Sequence, residues 1–324
     1  MAAHRLPGPG APTPDAPGAA AGPRWGERAA IDLLRATLPV APPGETWIGD
    51  DAAVLDAPAG RRLLLATDCL VDGVHVDLQL SSLADLGWKA LAVNVSDVAA
   101  MGGTPLAAVV ALAGARGPQI EPLYEGLREA ATHYGCPIVG GDLCEGPTLV
   151  LALAVIGTVD GAPVLRSGAR PGDSVFVTGR LGRSAAGLRT LRSRAPDPHG
   201  LAIAHRRPSA RLLEGQAAAR GGANAMIDCS DGLAIDLDRL ASASGVGVDL
   251  EEVPVAQGAT LEEALGGGED YELVFAAADA GRIAASFAAA GLVEPIEIGR
   301  CVADSGSRTL AGRPFEIVGF EHRT

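Results

Sequence analysis

The chain has 324 residues, and its 26 basic and 39 acidic side chains give a formal net charge of −13. Such a surface repels nucleic acids and anionic membranes, so divalent cations would have to mediate the binding of a phosphorylated substrate. Hydrophobic residues make up 48% of the chain, but no apolar run reaches the roughly 18 residues of a membrane span. The length predicts two domains of ordinary size.

The N-terminal segment and the cysteines indicate the cellular location of the protein. Residues 1–24 are rich in Pro, Ala and Gly and lack the apolar core of a secretion signal, which predicts a disordered tail. The five cysteines are scattered and contain no CxxC pair. This usage is typical of a reducing compartment, so a cytoplasmic location is predicted.

The first predicted elements surround a group of polar residues. Residues 25–38 have the apolar spacing of a short amphipathic helix, and the adjacent acids Asp50 and Asp51 then precede an apolar run. Residues 62–67 predict a strand, which ends at Thr67 and Asp68 and leads into a loop that contains His75. Loops at strand ends are common places for functional side chains.

Residues 88–103, WKALAVNVSDVAAMGG, predict a wholly buried helix that nevertheless carries an acid, Asp97. Asn94, Asp97 and Met101 share one helical stripe. A buried carboxylate needs a partner or a metal, because an unpaired buried charge is costly. The alternative is a capping or hydrogen-bonded aspartate beside Asn94 and Ser96.

The remaining pattern alternates strands with helices. Apolar runs predict strands over 106–113, 137–139, 149–159, 174–178, 225–228 and 273–276. Helices are predicted over 120–134, from about 184, through 212–213, and after Ser230, which is a candidate helix cap. This order indicates an α/β or α+β fold. The glycine- and proline-rich segment near 161–167 predicts domains over 25–162 and 163–324.

Several acids follow strands or begin helices beside a glycine or a hydroxyl, and one lies in the apolar helix. They are Asp50, Asp51, Asp68, Asp97, Asp142, Asp228 and Asp231. None is followed by a basic residue four positions later, as a solvated helix face would show. Each alone is more typical of a turn or a cap than of a metal ligand. Together, without clustered His or Cys, they indicate a Mg²⁺ site built from oxygen ligands.

Glycines and isolated polar residues add candidates for phosphate binding. Gly141 precedes Asp142, and residues 179–182 precede a helix, so their backbone N–H groups can approach phosphates. A tight strand-to-helix turn explains 179–182 equally well. His75 and Arg166 can contact substrate, or can be an ordinary loop histidine and a surface arginine. A P-loop is excluded, because Lys89 is the sole lysine and lies outside any GxxxxGK[ST] motif.

Seven ordered motifs, GDDAAVL, TDCLVDGVHV, KALAVNVSDVAAMGG, GGD, LRSGARPGD, IDCSDGL and GGEDYEL, resemble the thiamine-monophosphate kinase family. That family belongs to the superfamily of aminoimidazole ribonucleotide synthetase. The resemblance covers residues 49–320. It implies a two-domain α/β homodimer, joined through the N-terminal sheet, that uses ATP and several Mg²⁺ ions to convert thiamine phosphate to thiamine diphosphate.

The resemblance also implies roles for individual residues. The implied metal ligands are Asp51, Thr67, Asp68, Asp97, Asp142, Asp228 and Asp231. The implied nucleotide positions are Gly141, Asp142, Arg166 and Ser230, and the implied thiamine-phosphate positions are His75, Glu269 and Phe320. Two residues depart from the family pattern. Ala66 replaces a hydroxyl found in some relatives, and Phe320 keeps an aromatic face but lacks a polar group.

Other proteins of the superfamily, and a nucleotide-binding dimer without catalysis, are the alternatives. A selenophosphate synthetase would have a reactive cysteine near the N-terminus, whereas the first cysteine here is Cys69. A hydrogenase-maturation protein would end in cysteine, whereas this chain ends in Thr324. The implied reaction needs no general base, because its nucleophile is an already ionised phosphate oxygen.

Overall fold

The computed structural model describes residues 43–44, 53–56, 60–115 and 117–321, with the backbone alone for 53–56 and 117–118. The predicted tail over 1–24, the predicted helix over 25–38, and Asp50 and Asp51 lie outside these residues. Within the described part of the chain, no helix is long and apolar enough to cross a membrane.

Among the described residues, the first sheet has five strands in the order β1-β2-β5-β3-β4. The strands are β1 Ala53–Asp56, β2 Arg61–Val71, β3 Thr104–Ala113, β4 Ile138–Cys144 and β5 Val150–Asp160. Only β3 and β4 are parallel. In the part of the chain that the structure describes, this sheet is accompanied by helices α1 Leu83–Ala100 and α2 Gly117–Tyr134. A strand was predicted over 137–139. The observed strand β4 is longer, because Gly140 and Gly141 continue the pairing with β3.

The second sheet has seven strands in the order β12-β11-β8-β10-β6-β9-β7. They are β6 Ser174–Val177, β7 Ala223–Asp228, β8 Gly247–Leu250, β9 Leu273–Ala277, β10 Ile296–Val302, β11 Arg308–Leu310 and β12 Arg313–Pro314. The helices are α3 Arg183–Ser193, α4 Leu201–Arg206, α5 Leu212–Gly221, α6 Leu233–Ser244, α7 Leu261–Gly266 and α8 Ala280–Ala289. The short α4 was not predicted, since its surroundings are polar and contain proline. The predicted mixed α/β fold is confirmed.

Helix α1 lies between the two halves of the molecule. Ser82 caps its start in a capping box with Asp85, and thirteen of its 18 residues are buried. Gly87 lets α2 approach closely, because a Cβ atom there would lie 2.1 Å from the carbonyl oxygen of Leu123. At its other end, Ala99 and Ala100 pack in one hydrophobic cluster with residues of the second sheet. Polar residues near this end of α1 can therefore meet residues from both sheets.

Candidate active site

Asp97 lies on α1, on the stripe that faces the end of β2. Its neighbour on this stripe, Asn94, is fully buried, and its Oδ1 accepts a 3.0 Å hydrogen bond from the backbone N–H of Asp68. The Asn94 Nδ2 group donates to the carbonyl of Ala90 at 2.9 Å. Asp97 itself is only partly buried, in contrast to the wholly buried helix that was predicted. The partly buried Asp97 thus lies three positions after the residue that bonds to Asp68.

Asp228 connects this region to the second sheet. It is the last residue of β7 and is 3% exposed. Its Oδ2 accepts a 2.5 Å hydrogen bond from the hydroxyl of Ser96, the residue that precedes Asp97. Acids that are 131 positions apart in the sequence, Asp97 and Asp228, are therefore neighbours across the two halves.

The turn at Ser230 and Asp231 organises the C-terminal part of the site. The carbonyl of Ser230 accepts a 2.7 Å hydrogen bond from the N–H of Glu269, and the carbonyl of Asp231 accepts one of 3.0 Å from the N–H of Phe320. Two segments that contain predicted thiamine-phosphate positions are thereby attached to one turn. Phe320 remains 45% exposed.

The prediction that Ser230 caps the next helix is wrong. Helix α6 starts at Leu233, and its N-cap is Gly232, without a side-chain hydrogen bond. The fully buried carboxylate of Asp236 instead accepts hydrogen bonds from the N–H groups of Asp231 and Gly232, at 2.9 and 3.1 Å. Burial, and then the charge of Asp231, raises the pKa of Asp236 to about 7. The Ser230 hydroxyl is not needed as a cap.

Several acids of the site have charge partners that are distant in the sequence. The Arg239 guanidinium contacts Asp231 at 2.5 Å and Asp236 at 2.8 Å, and Lys89 pairs with Glu269. Arg239 stands eight positions after Asp231, and Lys89 is 180 positions before Glu269. A search for basic residues four positions away detects neither pair.

The electrostatics of Tyr271 show that the acids converge. This side chain is 8% exposed, and burial raises the pKa of its phenol well above the usual value. The negative charges of four acids raise it further, and they are Glu269, Asp68, Asp228 and Asp231. Since such effects decline with distance, both halves of the chain place carboxylates around this one phenol.

The residues 179–182 form a tight turn, and the alternative of a phosphate-binding loop is not supported. The Asp270 carboxylate accepts hydrogen bonds from the N–H groups of Gly182 and Ser184 at the start of α3, at 2.5 and 2.9 Å. An acid of the chain itself therefore occupies the place that an anion would take. A Cβ atom at Gly179 would lie 2.6 Å from the carboxylate of Glu272, which explains this glycine by close packing.

Three predicted residues lie away from the converging acids. Thr67 is on the open face of the first sheet, opposite to Asp68, and its hydroxyl donates to the carbonyl of Leu153 at 2.7 Å. Gly141 and Asp142 belong to the edge strand β4 and are exposed. Asp142 is aligned with Ala111, Ala152 and Cys69 across the sheet. This alignment places Asp142 three strand spacings, about 14 Å, from β2.

Arg166 lies near the Asp231 turn. It is partly buried, and its carbonyl accepts a 3.1 Å hydrogen bond from Ser244. Its positive charge acts on Arg239, the partner of Asp231. Arg166 is therefore a second positive charge near Arg239, and a guanidinium group of this kind can pair with a phosphate.

Lys89, His205 and Tyr271 are site residues that sequence reasoning missed. Lys89 is 2% exposed and contacts both Glu269 and the carbonyl of His75. The Nδ1 atom of His205 lies 3.3 Å from the second carboxylate oxygen of Glu269. The position of the sole lysine of the chain inside a helix predicted to be buried was a signal that could have identified Lys89.

Comparison with known proteins assigns both halves to one family. The model of the AIR synthase related protein N-terminal domain matches residues 49–159, and that of the C-terminal domain matches residues 170–311. Fold and sequence together therefore define an AIR synthase-related protein.

Individual relatives point to one enzyme family within this group. The thiamine-monophosphate kinase of Salmonella typhimurium is 40% identical over 301 residues, which are 86% of this chain and 92% of that protein. The enzyme of Bacillus subtilis is 39% identical over 71% of this chain and 76% of its own length. A solved structure of AaThiL complexed with AMPPCP and TMP is 34% identical, with a TM-score of 0.81, and the match covers 92% of this chain and 97% of that one. The chain belongs to the thiamine-monophosphate kinase family.

Proposed function

We propose that this protein phosphorylates thiamine monophosphate with ATP and releases thiamine diphosphate. The observation that carries this proposal is the junction at Asp231, where converging acids meet the segments of Glu269 and Phe320. A relative of 34% identity binds AMPPCP and TMP, which supports both substrates. The relatives named thiamine-monophosphate kinase support the same reaction.

Mg²⁺ is the proposed cofactor, and the donors present suit it. Within the described residues, no three His, Cys, Asp or Glu side chains are close enough to form a metal cage. Mg²⁺ does not require one, because it typically keeps several waters and binds one or two carboxylates together with substrate phosphates. The proposed ligands are Asp51, Thr67, Asp68, Asp97, Asp142, Asp228 and Asp231. The ions, when bound, neutralise and align the phosphate groups.

The side chains of the protein bind and orient both substrates, and none is needed to remove a proton. An oxygen of the acceptor phosphate attacks the γ-phosphorus of ATP in line, a new P–O–P bond forms, and ADP leaves. Gly141, Asp142, Arg166 and Ser230 are the proposed nucleotide positions. His75, Glu269 and Phe320 are the proposed acceptor positions. Holding the two anions in line is the main contribution of such a site to the rate.

A homodimer is part of the proposal, because the first sheet has an open apolar face. Leu65, Val109 and Ile156 are 42 to 44% exposed there, and Thr67 lies among them. Proposed ligands also lie on two separate strands of this sheet, β4 and β2. Asp142 is on β4, and the N–H of Asp68 bonds to Asn94 instead of a neighbouring strand. A second copy that covers this face can bring its own Asp142 to β2, where Thr67 shares the face and Asp68 follows it in the chain.

We further propose domains over 25–162 and 163–324 and a cytoplasmic location. The first sheet ends at Asp160 and the second begins at Ser174, which supports a boundary between them. All five cysteines are free thiols, as is usual in a reducing compartment.

The direct test is to incubate the purified protein with ATP, Mg²⁺ and thiamine monophosphate. We expect equimolar ADP and thiamine diphosphate, measured by chromatography, and less than about 1% of this rate in EDTA because the acids act through metal. Formation of inorganic phosphate without thiamine diphosphate would contradict the proposed acceptor. Undiminished turnover in EDTA would contradict the proposed role of Mg²⁺.

Phe320→Ala should weaken the binding of thiamine monophosphate about tenfold and leave the KM for ATP nearly unchanged. The reason is that stacking of a cationic ring on an aromatic face contributes roughly 0.5–2 kcal/mol. Steady-state kinetics with each substrate varied in turn will measure both values. Val293→Ala, at an 86% exposed position, is the control. Phe315→Ala would be less suitable, because that ring packs against a core cluster. A change in the ATP KM alone would place the acceptor elsewhere.

A further inference from the structure

Lys89 is the only lysine of the chain and is 2% exposed. It lies on α1 between Trp88 and Ala90. Burial of an ammonium group is costly unless partners compensate for the lost water, so its contacts define what it does. Those contacts come from both halves of the molecule.

On the N-terminal side, Lys89 holds the loop that contains His75. Its Nζ donates a 3.3 Å hydrogen bond to the carbonyl of His75. The ring of the same histidine is fixed by a second bond, because its Nδ1 accepts from the N–H of Val71 at 3.1 Å. A neutral His75 therefore carries its proton on Nε2. Both the backbone and the ring of His75 are thus oriented.

On the C-terminal side, Lys89 pairs with Oε1 of Glu269. The other oxygen, Oε2, lies 3.3 Å from Nδ1 of His205, which is itself 3.0 Å from the hydroxyl of Ser184. Burial, and then the charge of Lys89, lowers the pKa of His205 to about 4, so this imidazole is neutral at neutral pH. Lys89 is therefore the charged partner of the carboxylate, and His205 is a neutral one.

The backbone of Glu269 is also constrained. Its φ angle of 59° is in the left-handed region, and its N–H is bonded to the Ser230 carbonyl at 2.7 Å. The side chain nevertheless remains 28% exposed. An acceptor molecule can therefore reach a carboxylate that is held in one orientation and whose charge is already balanced.

We propose that Lys89 is a positioning residue that fixes Glu269 and the His75 loop in a single arrangement for the acceptor. Because the ammonium balances the charge of Glu269, this carboxylate acts as an oriented hydrogen-bond acceptor and not as an unpaired anion. The part of the acceptor that it recognises is an N–H donor, such as the amino group of a heteroaromatic ring. This inference rests on the proposed function and specifies how its acceptor is selected.

The test compares Lys89→Met, Glu269→Gln and the double variant by steady-state kinetics. Lys89→Met should raise the KM for thiamine monophosphate about tenfold or more and change the KM for ATP less than about twofold, since a charge-assisted contact is lost at the acceptor alone. In the Glu269→Gln background, Lys89→Met should add clearly less than it does alone, about threefold at most, because only its contact with the His75 carbonyl remains to be lost. Arg61→Met is the matched control, since it removes an exposed cation that pairs with Asp160.

The possible results distinguish a failure of this inference from a failure of the proposed function. Independent, multiplicative effects of the two substitutions, or an increase in the ATP KM alone, would overturn the positioning role while the proposed function stands. A parent protein that does not phosphorylate thiamine monophosphate would overturn the function and this inference together. If Lys89→Met does not fold, Lys89→Arg replaces it, because arginine keeps the charge but moves it. We then expect at least about a threefold rise in the acceptor KM, and unchanged kinetics would contradict the proposal.

Discussion

Asp97→Asn should lower kcat roughly 100-fold or more while the protein remains folded. Asp97 is partly buried, and its stripe on α1 faces the end of β2, where Asn94 bonds to Asp68. The preceding residue, Ser96, bonds to Asp228. An acid whose helix neighbours bond to two other acids is valuable chiefly as a metal ligand, and asparagine supplies a weaker oxygen without the charge. Turnover measured at saturating ATP, Mg²⁺ and acceptor will give the effect.

The same substitution should leave the melting temperature in EDTA unchanged or higher. Without metal, the carboxylates of Asp68, Asp97 and Asp228 repel one another, so the removal of one charge relieves repulsion. Asp160→Asn, an exposed acid of the same half, is the control and should retain normal turnover. A variant that unfolds in EDTA would show that Asp97 has a structural role, and near-normal turnover would exclude it as a ligand.

Much of this site could be predicted from local sequence signals. Asp68 and Asp228 stand in or at the end of strands, and the motif around Asp97 has a regular helical stripe. Such features depend on neighbours within a few residues, so the sequence shows them directly. The same strand pattern also separates Thr67 from Asp68. Adjacent residues of a strand point to opposite faces, so Thr67 and Asp68 could not both face α1.

The charge partners of the acids could not be predicted in the same way. Lys89 meets Glu269, and Arg239 meets Asp231, only after the chain has folded. The cap of α3 is another example, because it comes from Asp270 and not from a residue near its first turn. Each of these contacts joins segments whose spacing carries no periodic signal. They depend on tertiary packing, which places a buried acid next to whichever donor compensates it.

The placement of Asp142 leads to a prediction about two subunits. Asp142 is on the edge strand β4, about three strand spacings from the β2 strand that carries Asp68. Its side chain also shares the open face of the sheet with Thr67, as the alignment through Ala111 and Ala152 shows. A single chain therefore does not bring Asp142 to Asp97. An isologous dimer would form two equivalent sites, each with Asp97 from one subunit and Asp142 from the other.

Co-expression of Asp97→Asn and Asp142→Asn subunits with two different affinity tags should therefore restore activity. Each homodimer has a lesion in both sites, and we expect both to be nearly inactive. The purified heterodimer has both lesions in one site and none in the other, so it should show about half of the parent activity per dimer. The control heterodimer combines Asp97→Asn with Asp68→Asn. These acids come from the same subunit, so each site retains one lesion and should stay inactive. Equal inactivity of both heterodimers would mean that every site is complete within one chain, and a monomeric parent protein would exclude the shared site altogether.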